Sequence, residues 1–240
     1  MSGFQPGETG RVVRVIDGDA VVLDTGQSVR LVGVEAPAFG RNGAPDAPHA
    51  EETRRRLEDM VLGRRVRLYY SGLTRDRYDR ALAHLHTEDR LGPEIWVNLA
   101  LVEDGAVRVR IYPDTANGAD ALFAAEVEAM AQRRGLWSRQ AYRVRDARDL
   151  ADAAPGFLIM SGILGPRRPG PFEDTACARS LLGSEVVVTV DLPAMAACDL
   201  ETGQRVQVRG WYREGRLRLN AADNLRPLAG EALAMAGDQH

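Results

Sequence analysis

The chain has 240 residues, a formal net charge of −3 at pH 7, 45% hydrophobic residues and 27% charged residues. This length and balance are those of an ordinary globular protein with one or two buried cores. Disordered, collagen-like and membrane-inserted proteins are excluded, since no stretch approaches the roughly 18 uninterrupted apolar residues of a membrane span. The negative net charge argues against a surface that binds polyanions everywhere, but it is compatible with a local cationic cleft.

Two cysteines, Cys177 and Cys198, are too few for a disulfide scaffold and lack the spacing of a zinc site. We interpret both as free thiols, which favours a reducing compartment. Residues 1–10 have neither the basic nor the apolar region of a secretory signal. The sequence therefore predicts a cytoplasmic protein that does not associate with membranes.

The first half of the chain alternates between short strands and helices. Segments in which apolar and polar residues alternate are separated by turn residues, and they predict a three-strand meander over residues 13–33. Two more strands are predicted at 66–70 and 81–85. Helical spacing with a glycine just past each end predicts three helices: Glu51–Leu62, Ile95–Asp104 and Ala119–Arg134. Five short strands with intervening helices predict a small barrel of the OB (oligonucleotide/oligosaccharide-binding) type.

A second, smaller β-rich domain is expected after a polar stretch. The predicted organisation is a barrel domain at residues 1–140, a linker at 141–156, an OB-like domain at 157–229 and a flexible tail at 230–240. Strands are predicted in the second domain at 157–164, 185–190, 205–211 and 216–220, with a short helix at Thr175–Leu182. The fold class is thus β-rich α+β.

Four short pieces of the first domain carry residues suited to phosphate chemistry. They are Val15-Ile16-Asp17-Gly18-Asp19, Arg30-Leu31-Val32-Gly33-Val34-Glu35-Ala36-Pro37, Asp76-Arg77-Tyr78-Asp79-Arg80, and residues 98–109 with Gly135-Leu136-Trp137. Their order and spacing over residues 10–137 resemble the thermonuclease, or staphylococcal-nuclease-like, family. That family's fold is a five-stranded OB barrel with three helices.

The resemblance implies a calcium-dependent phosphodiester hydrolase. Oxygen ligands would hold the cation, arginines would neutralise charge on the phosphate, and a base would activate water. Carried over by motif position, Asp19, Glu35 and the carbonyl of Ala36 are the metal ligands, and Arg30 and Arg80 hold the phosphate. The alternative for Arg30 is an ion pair with Asp19 or Glu35 in the absence of a metal. Tyr78, Asp76 and Tyr112 are expected at the nucleotide. The implied partner is single-stranded DNA or RNA.

The sequence departs from the family pattern at the general base. Where the family reads Asp-Thr-Pro-Glu, this chain reads Glu35-Ala36-Pro37-Ala38, so an alanine replaces the base. Asp79 also stands where the family has glycine. Substitute bases could come from Asp46, His49, Glu51 or Glu52. The predicted function is therefore calcium-dependent hydrolysis of nucleic acid, weak or lost; the alternative is a non-catalytic module that binds nucleic acid or a protein.

Other polar groups have simpler interpretations. Asp17 is a turn former before it is a ligand, and we interpret His84 and His86 as a surface pair. In the second domain, an arginine-rich hairpin with Trp211 could hold single-stranded nucleic acid, its arginines being Arg205, Arg209, Arg216 and Arg218. A solvated outer face is the alternative, and it is the usual one for such hairpins.

Overall fold

The computed structural model describes residues 3–40, 42–88, 92–150 and 153–228. The chain divides into two compact units, Met1–Arg143 and Val144–His240. The predicted tail at 230–240 lies outside the described residues.

The first unit is a closed five-stranded barrel. Its strands are β1 (Gln5–Asp17), β2 (Ala20–Leu23), β3 (Ser28–Leu31), β5 (Arg65–Tyr70) and β6 (Ala81–Thr87), in the ring order β1-β2-β3-β6-β5. Two short strands, β4 (Val34–Glu35) and β7 (Arg108–Val109), pair separately. The pair β3–β6 is parallel and the others are antiparallel, so the predicted OB barrel is confirmed.

Three helices accompany this barrel, as predicted: α1 (Ala50–Val61), α2 (Val97–Glu103) and α3 (Ala119–Ala131). Helix α1 buries one face, which includes Thr53, Leu57 and Met60, and carries its charged residues on the other. An amphipathic helix of this kind gains most of its stability by burying its apolar face. Here that face anchors the helix against β1, next to the turn at Gly18.

His84 is a core residue rather than part of a surface pair. Its side chain is fully buried, Nε1–H of Trp96 donates to its Nδ1 at 3.2 Å, and the ring of Phe4 stands edge-on with a centroid distance of 4.8 Å. Burial lowers the pKa of His84 to about 3, with a smaller contribution from His86. The imidazole is therefore neutral in the folded protein.

Because His84 is neutral in the folded protein, the free energy of unfolding decreases as the pH falls. The folded pKa lies below the unfolded value of 6.5, so the unfolded chain binds more protons as the pH falls below that value. We expect the free energy of unfolding to drop by about 2 kcal/mol from this group between pH 7 and pH 5. Urea unfolding at both pH values, with wild type and His84→Gln, checks it. An equal drop in both proteins would show that His84 does not contribute.

The second unit repeats the same ring order. Its strands are β8 (Arg145–Asp146), β9 (Gly156–Pro169), β10 (Thr175–Leu181), β11 (Val187–Asp191), β12 (Arg205–Arg213), β13 (Arg216–Leu219) and β14 (Leu225–Pro227). The ring runs β9-β10-β11-β13-β12 and closes because β12 pairs with β9 as well. The pair β11–β13 is parallel, like β3–β6 in the first barrel. The chain therefore carries two barrels of OB topology.

Two local predictions in the second unit differ from the structure. Thr175–Leu181 is strand β10 rather than a helix, because it pairs with β9 on one side and β11 on the other. Its alanines favour helix locally, but sheet pairing and burial of Cys177 and Leu181 decide its conformation. Within the expected linker, Arg145–Asp146 pairs in parallel with β9, so this part of it belongs to the sheet.

The expectation of free thiols is wrong. Cys177 on β10 and Cys198 form a disulfide with a Cα–Cα distance of 6.2 Å. Next to it, the buried guanidinium of Arg179 donates to the backbone carbonyls of Gly165, Cys198 and Leu200 at 2.8–3.0 Å. The disulfide and Arg179 together hold the 3₁₀ segment Leu192–Asp199 on the barrel.

Candidate functional site

Asp19 is the most buried charged group at the predicted site. It follows the turn between β1 and β2 and is 1% exposed. Its Oδ2 accepts the backbone N–H of Ala36 at 2.9 Å, and its Oδ1 lies 2.7 Å from a guanidinium nitrogen of Arg30. Asp17 accepts the N–H of Asp19 at 3.1 Å, which is the turn role predicted for it.

The turn needs a glycine because the chain packs closely there. A Cβ on Gly18 would lie 2.4 Å from Cγ2 of Thr53 and 2.8 Å from Cβ of Ala36. Both distances are too short for real carbon atoms. Gly18 therefore allows α1 and the segment after β4 to approach the turn, and this approach places Ala36 against Asp19.

Arg30 joins the two predicted metal carboxylates. It lies on β3, and its guanidinium contacts Asp19 at 2.7 Å and Glu35 at 3.4 Å. Burial of Arg30 would lower its pKa, but the charges of Asp19 and Glu35 outweigh this and raise it. Burial of Asp19 raises the pKa of that carboxyl well above its usual range, although Arg30 opposes the shift. Asp19, Arg30 and Glu35, together with the backbone amide of Ala36, thus form one connected cluster. Arg110 is its fourth charged group.

Arg110 is the functional candidate that the sequence analysis missed. Its guanidinium lies 2.8 Å from Oε2 of Glu35 and 4.8 Å from the ring centroid of Tyr112. Tyr112 is thereby placed at the edge of the cluster, and its burial raises the pKa of its hydroxyl. Among many arginines, Arg110 has no distinctive sequence signal. The one available hint was that Arg110 lies two residues before Tyr112, which the sequence analysis expected at the nucleotide.

A second group forms at the loop before β6. Asp76 accepts the N–H groups of Tyr78 and Arg80 at 2.9 and 3.0 Å and the guanidinium of Arg80 at 2.8 Å. Burial would raise the pKa of Asp76, but these hydrogen bonds outweigh it and lower the pKa. Tyr78 is 66% exposed, with Arg77 over its ring at 4.7 Å. Asp76 thus fixes the conformation of the loop, while Tyr78 and one side of Arg80 face solvent.

Arg80 directly precedes β6. In the parallel pair β3–β6, Arg30 is opposite Leu82, two residues after Arg80. Asp79, directly before Arg80 in sequence, adopts a left-handed conformation with φ of 61°, the kind that glycine adopts readily and aspartate tolerates. Its carboxylate is 90% exposed, so the added charge points to solvent.

The donor set at the first cluster suits a hard cation. Carboxylate and carbonyl oxygens are the ligands calcium prefers, and the buried Oδ1 of Asp19 has the guanidinium of Arg30 as its partner at 2.7 Å. Over the described ranges, no three His, Cys, Asp or Glu side chains lie close enough together to hold a metal. A cation here would therefore rely on Asp19, Glu35 and the carbonyl of Ala36. It would also compete with Arg30 and Arg110 for both carboxylates.

Removing one competitor should strengthen calcium binding. A cation near Glu35 is repelled by the charge of Arg110, which contacts the same oxygen at 2.8 Å. We expect Arg110→Gln to tighten calcium binding by roughly tenfold, which corresponds to about 1.4 kcal/mol. Calorimetric titration with calcium measures it, with Arg14→Gln, an exposed residue of β1, as the control. Equal affinities in all three proteins would show that Arg110 does not compete.

Ala38 stands at the position that the family resemblance assigns to a general base. It is exposed, and its carbonyl accepts the N–H of Ala47 at 2.9 Å. The methyl group of alanine cannot accept a proton.

Two arginines of the arginine-rich hairpin in the second unit have side-chain partners within that unit. Arg218 lies 2.9 Å from Asp191 and also contacts Asp174, and Arg209 is buried and donates to Gln207 at 2.7 Å. Trp211 is 51% exposed and is the cross-strand neighbour of Arg218. Arg218 therefore has two acidic partners, whereas Arg209 is buried rather than part of a solvated face.

No helix within the described parts of the chain is both long enough and apolar enough to cross a membrane. This observation agrees with the absence of any apolar run of that length in the sequence.

Comparison with known proteins identifies the family of the first unit. The family described as staphylococcal nuclease homologue matches residues 28–139. The chain is 32% identical over 136 residues to a thermonuclease of Staphylococcus intermedius, covering 55% of this chain and 78% of that protein. It is 33% identical over 132 residues to an uncharacterized endonuclease of Escherichia coli O157:H7, covering 54% and 76%. A probable endonuclease, LCL3, of Verticillium alfalfae is 30% identical over 132 residues, covering 54% and 45%. The chain therefore belongs to the staphylococcal nuclease homologue family through its first barrel.

Proposed function

We propose that the first barrel hydrolyses phosphodiester bonds of nucleic acid at a calcium site, at a low rate. The observation that carries the proposal is the contact of Arg30 with both Asp19 and Glu35, at 2.7 and 3.4 Å. Two acids and an arginine at one end of a barrel can hold a cation and a phosphate side by side. The names of the relatives, thermonuclease and endonuclease, support the same substrate class.

In this proposal each group has a distinct task. Asp19, Glu35 and the carbonyl of Ala36 would hold calcium, which supplies Lewis-acid stabilisation of the charge on phosphate. Arg30 and Arg80 would contact the non-bridging phosphate oxygens through paired N–H groups. Exposed Tyr78 and the edge of Tyr112 would lie along the nucleotide. Single-stranded DNA or RNA fits an OB cleft of this kind.

The rate is expected to be low because Ala38 stands at the base position. A general base contributes about 10²–10⁴-fold in rate, whereas metal and arginines supply electrostatic stabilisation independently of it. A second candidate function, non-catalytic binding of nucleic acid or of a protein, is favoured by this same alanine and by the contact of Arg110 with Glu35 at 2.8 Å.

Cleavage of a fluorescent single-stranded DNA at pH 7 to 9.5, with and without calcium, tests the proposal. We expect calcium-dependent cleavage by wild type that the double variant Asp19→Asn, Arg30→Ala abolishes. Binding of the same DNA is measured in parallel by fluorescence anisotropy. Binding without cleavage by wild type would refute the enzyme and favour the binding module. Activity gained only in Ala38→Glu would show a nuclease fold disarmed at one position.

A further inference from the structure

The loop after Ala38 folds back on itself. The N–H of Ala47 donates to the carbonyl of Ala38 at 2.9 Å, and the N–H of Gly40 donates to Oδ1 of Asp46 at 2.8 Å. The turn between them is tight, since a Cβ on Gly40 would lie 1.8 Å from the carbonyl oxygen of Ala44. The returning half of the loop thus places an acidic side chain beside the segment that lacks its base.

The other acids of this region already have cationic partners. Glu51 on α1 is bound by Arg54 and Arg55 at 2.8–2.9 Å, and their hydrogen bonds lower its pKa to about 2. Glu52 is bound by His49, whose hydrogen bond lowers the pKa of Glu52. These partners make both carboxylates poor proton acceptors. Within the part of the chain that the structure describes, Asp46 forms no ion pair, and its side chain is exposed to water.

Asp46 lies on the same loop as Ala38. Gly40 N is two residues along the chain from Ala38, so it lies within about 6 Å of the Ala38 Cα. The Asp46 carboxylate is 2.8 Å from Gly40 N, so it lies within about 9 Å of the Ala38 Cα. Ala36, two residues before Ala38, contacts Asp19.

We propose that Asp46 is the general base of this site, in place of the family's glutamate. The inference rests on the proposed function. In the step, the oxygen of a water molecule forms a bond to phosphorus while one of its protons passes to the Asp46 carboxylate. The bond from phosphorus to the leaving oxygen breaks, and that oxygen takes a proton from solvent water. Asp46 then returns its proton to solvent, so the net reaction is hydrolysis.

Asp46→Asn distinguishes a general base from a residue that only stabilises the loop through its hydrogen bond with Gly40. The amide oxygen of asparagine still accepts the N–H of Gly40, but it cannot take a proton at neutral pH. We expect kcat/KM for single-stranded DNA to fall by roughly 10²-fold, and the remaining rate to rise in proportion to hydroxide concentration. The matched control is Asp24→Asn, because Asp24 also accepts a backbone N–H, that of Arg11 at 2.9 Å. This control is expected to keep the wild-type rate and pH profile.

Restoring an acid on the other half of the loop completes the test. The double variant Ala38→Glu, Asp46→Asn is expected to be at least tenfold faster than Asp46→Asn, since the new carboxylate can accept the proton of the same water. An inactive wild type would refute the proposed function and this inference together. An active wild type with Asp46→Asn unchanged would refute the inference alone. A loss that Ala38→Glu does not repair would assign Asp46 to loop structure and also refute it.

Discussion

Arg30→Ala is expected to lower kcat/KM for single-stranded DNA by about 10³-fold, the largest effect among the single variants. Removing one preorganised donor to a developing charge costs about 10²–10³-fold, and a bidentate arginine on phosphate costs more. Arg30 also neutralises two carboxylates, at 2.7 and 3.4 Å. Without it, the buried Asp19 loses the cation that opposes the rise of its pKa.

Two further proteins make this result specific. Arg30→Lys keeps the charge but loses the paired N–H groups, so its activity should lie between those of wild type and Arg30→Ala. Arg14→Ala removes an exposed arginine from β1 and should leave the rate unchanged. Circular dichroism at the assay temperature verifies that each variant is folded. If folded Arg30→Ala retained activity within about threefold of wild type, the assignment of the phosphate clamp would be wrong.

Reduction of the disulfide is expected to destabilise the second barrel by about 3 kcal/mol. The two cysteines are 21 residues apart, and closing a loop of about this length removes that much conformational freedom from the unfolded chain in the entropy model. Arg179 keeps its bonds to the carbonyls of Cys198 and Leu200 after reduction, so the segment loosens without detaching. Urea unfolding of the whole protein, with and without reductant, measures the effect.

The double variant Cys177→Ala, Cys198→Ala supplies the control. Its unfolding should be insensitive to reductant and should match that of reduced wild type, apart from a small cost for the lost sulfurs in the core. Thiol labelling of unfolded, unreduced protein should find no free thiol, and two free thiols would contradict the pairing. Disulfides persist in oxidising compartments. The cytoplasmic location that we inferred from free thiols therefore loses this support.

Much of the first barrel and its site follows from local sequence patterns. Alternating apolar residues set which face of each strand is buried, and turn residues such as Gly18 and Gly26 end the strands. Because site residues sit at or next to the ends of these short strands, the motifs also predicted that Asp19, Arg30 and Glu35 come together, and the distances agree. Patterns fail where the strand is irregular: Val13 is 52% exposed, and the register of β1 shifts between Val12 and Arg14.

Contacts between distant residues were decided by the tertiary structure alone. Arg110 and Glu35 are 75 residues apart, and no local pattern distinguishes this arginine from the others. The pairing of Cys177 with Cys198, the burial of His84 and the strand at Thr175–Leu181 depend likewise on which segments the barrels bring side by side. Sequence determines local conformation through the periodicity of side chains, which is a property of neighbours. Ion pairs, disulfides and burial depend on chain closure over long separations, so only the folded barrels determine them.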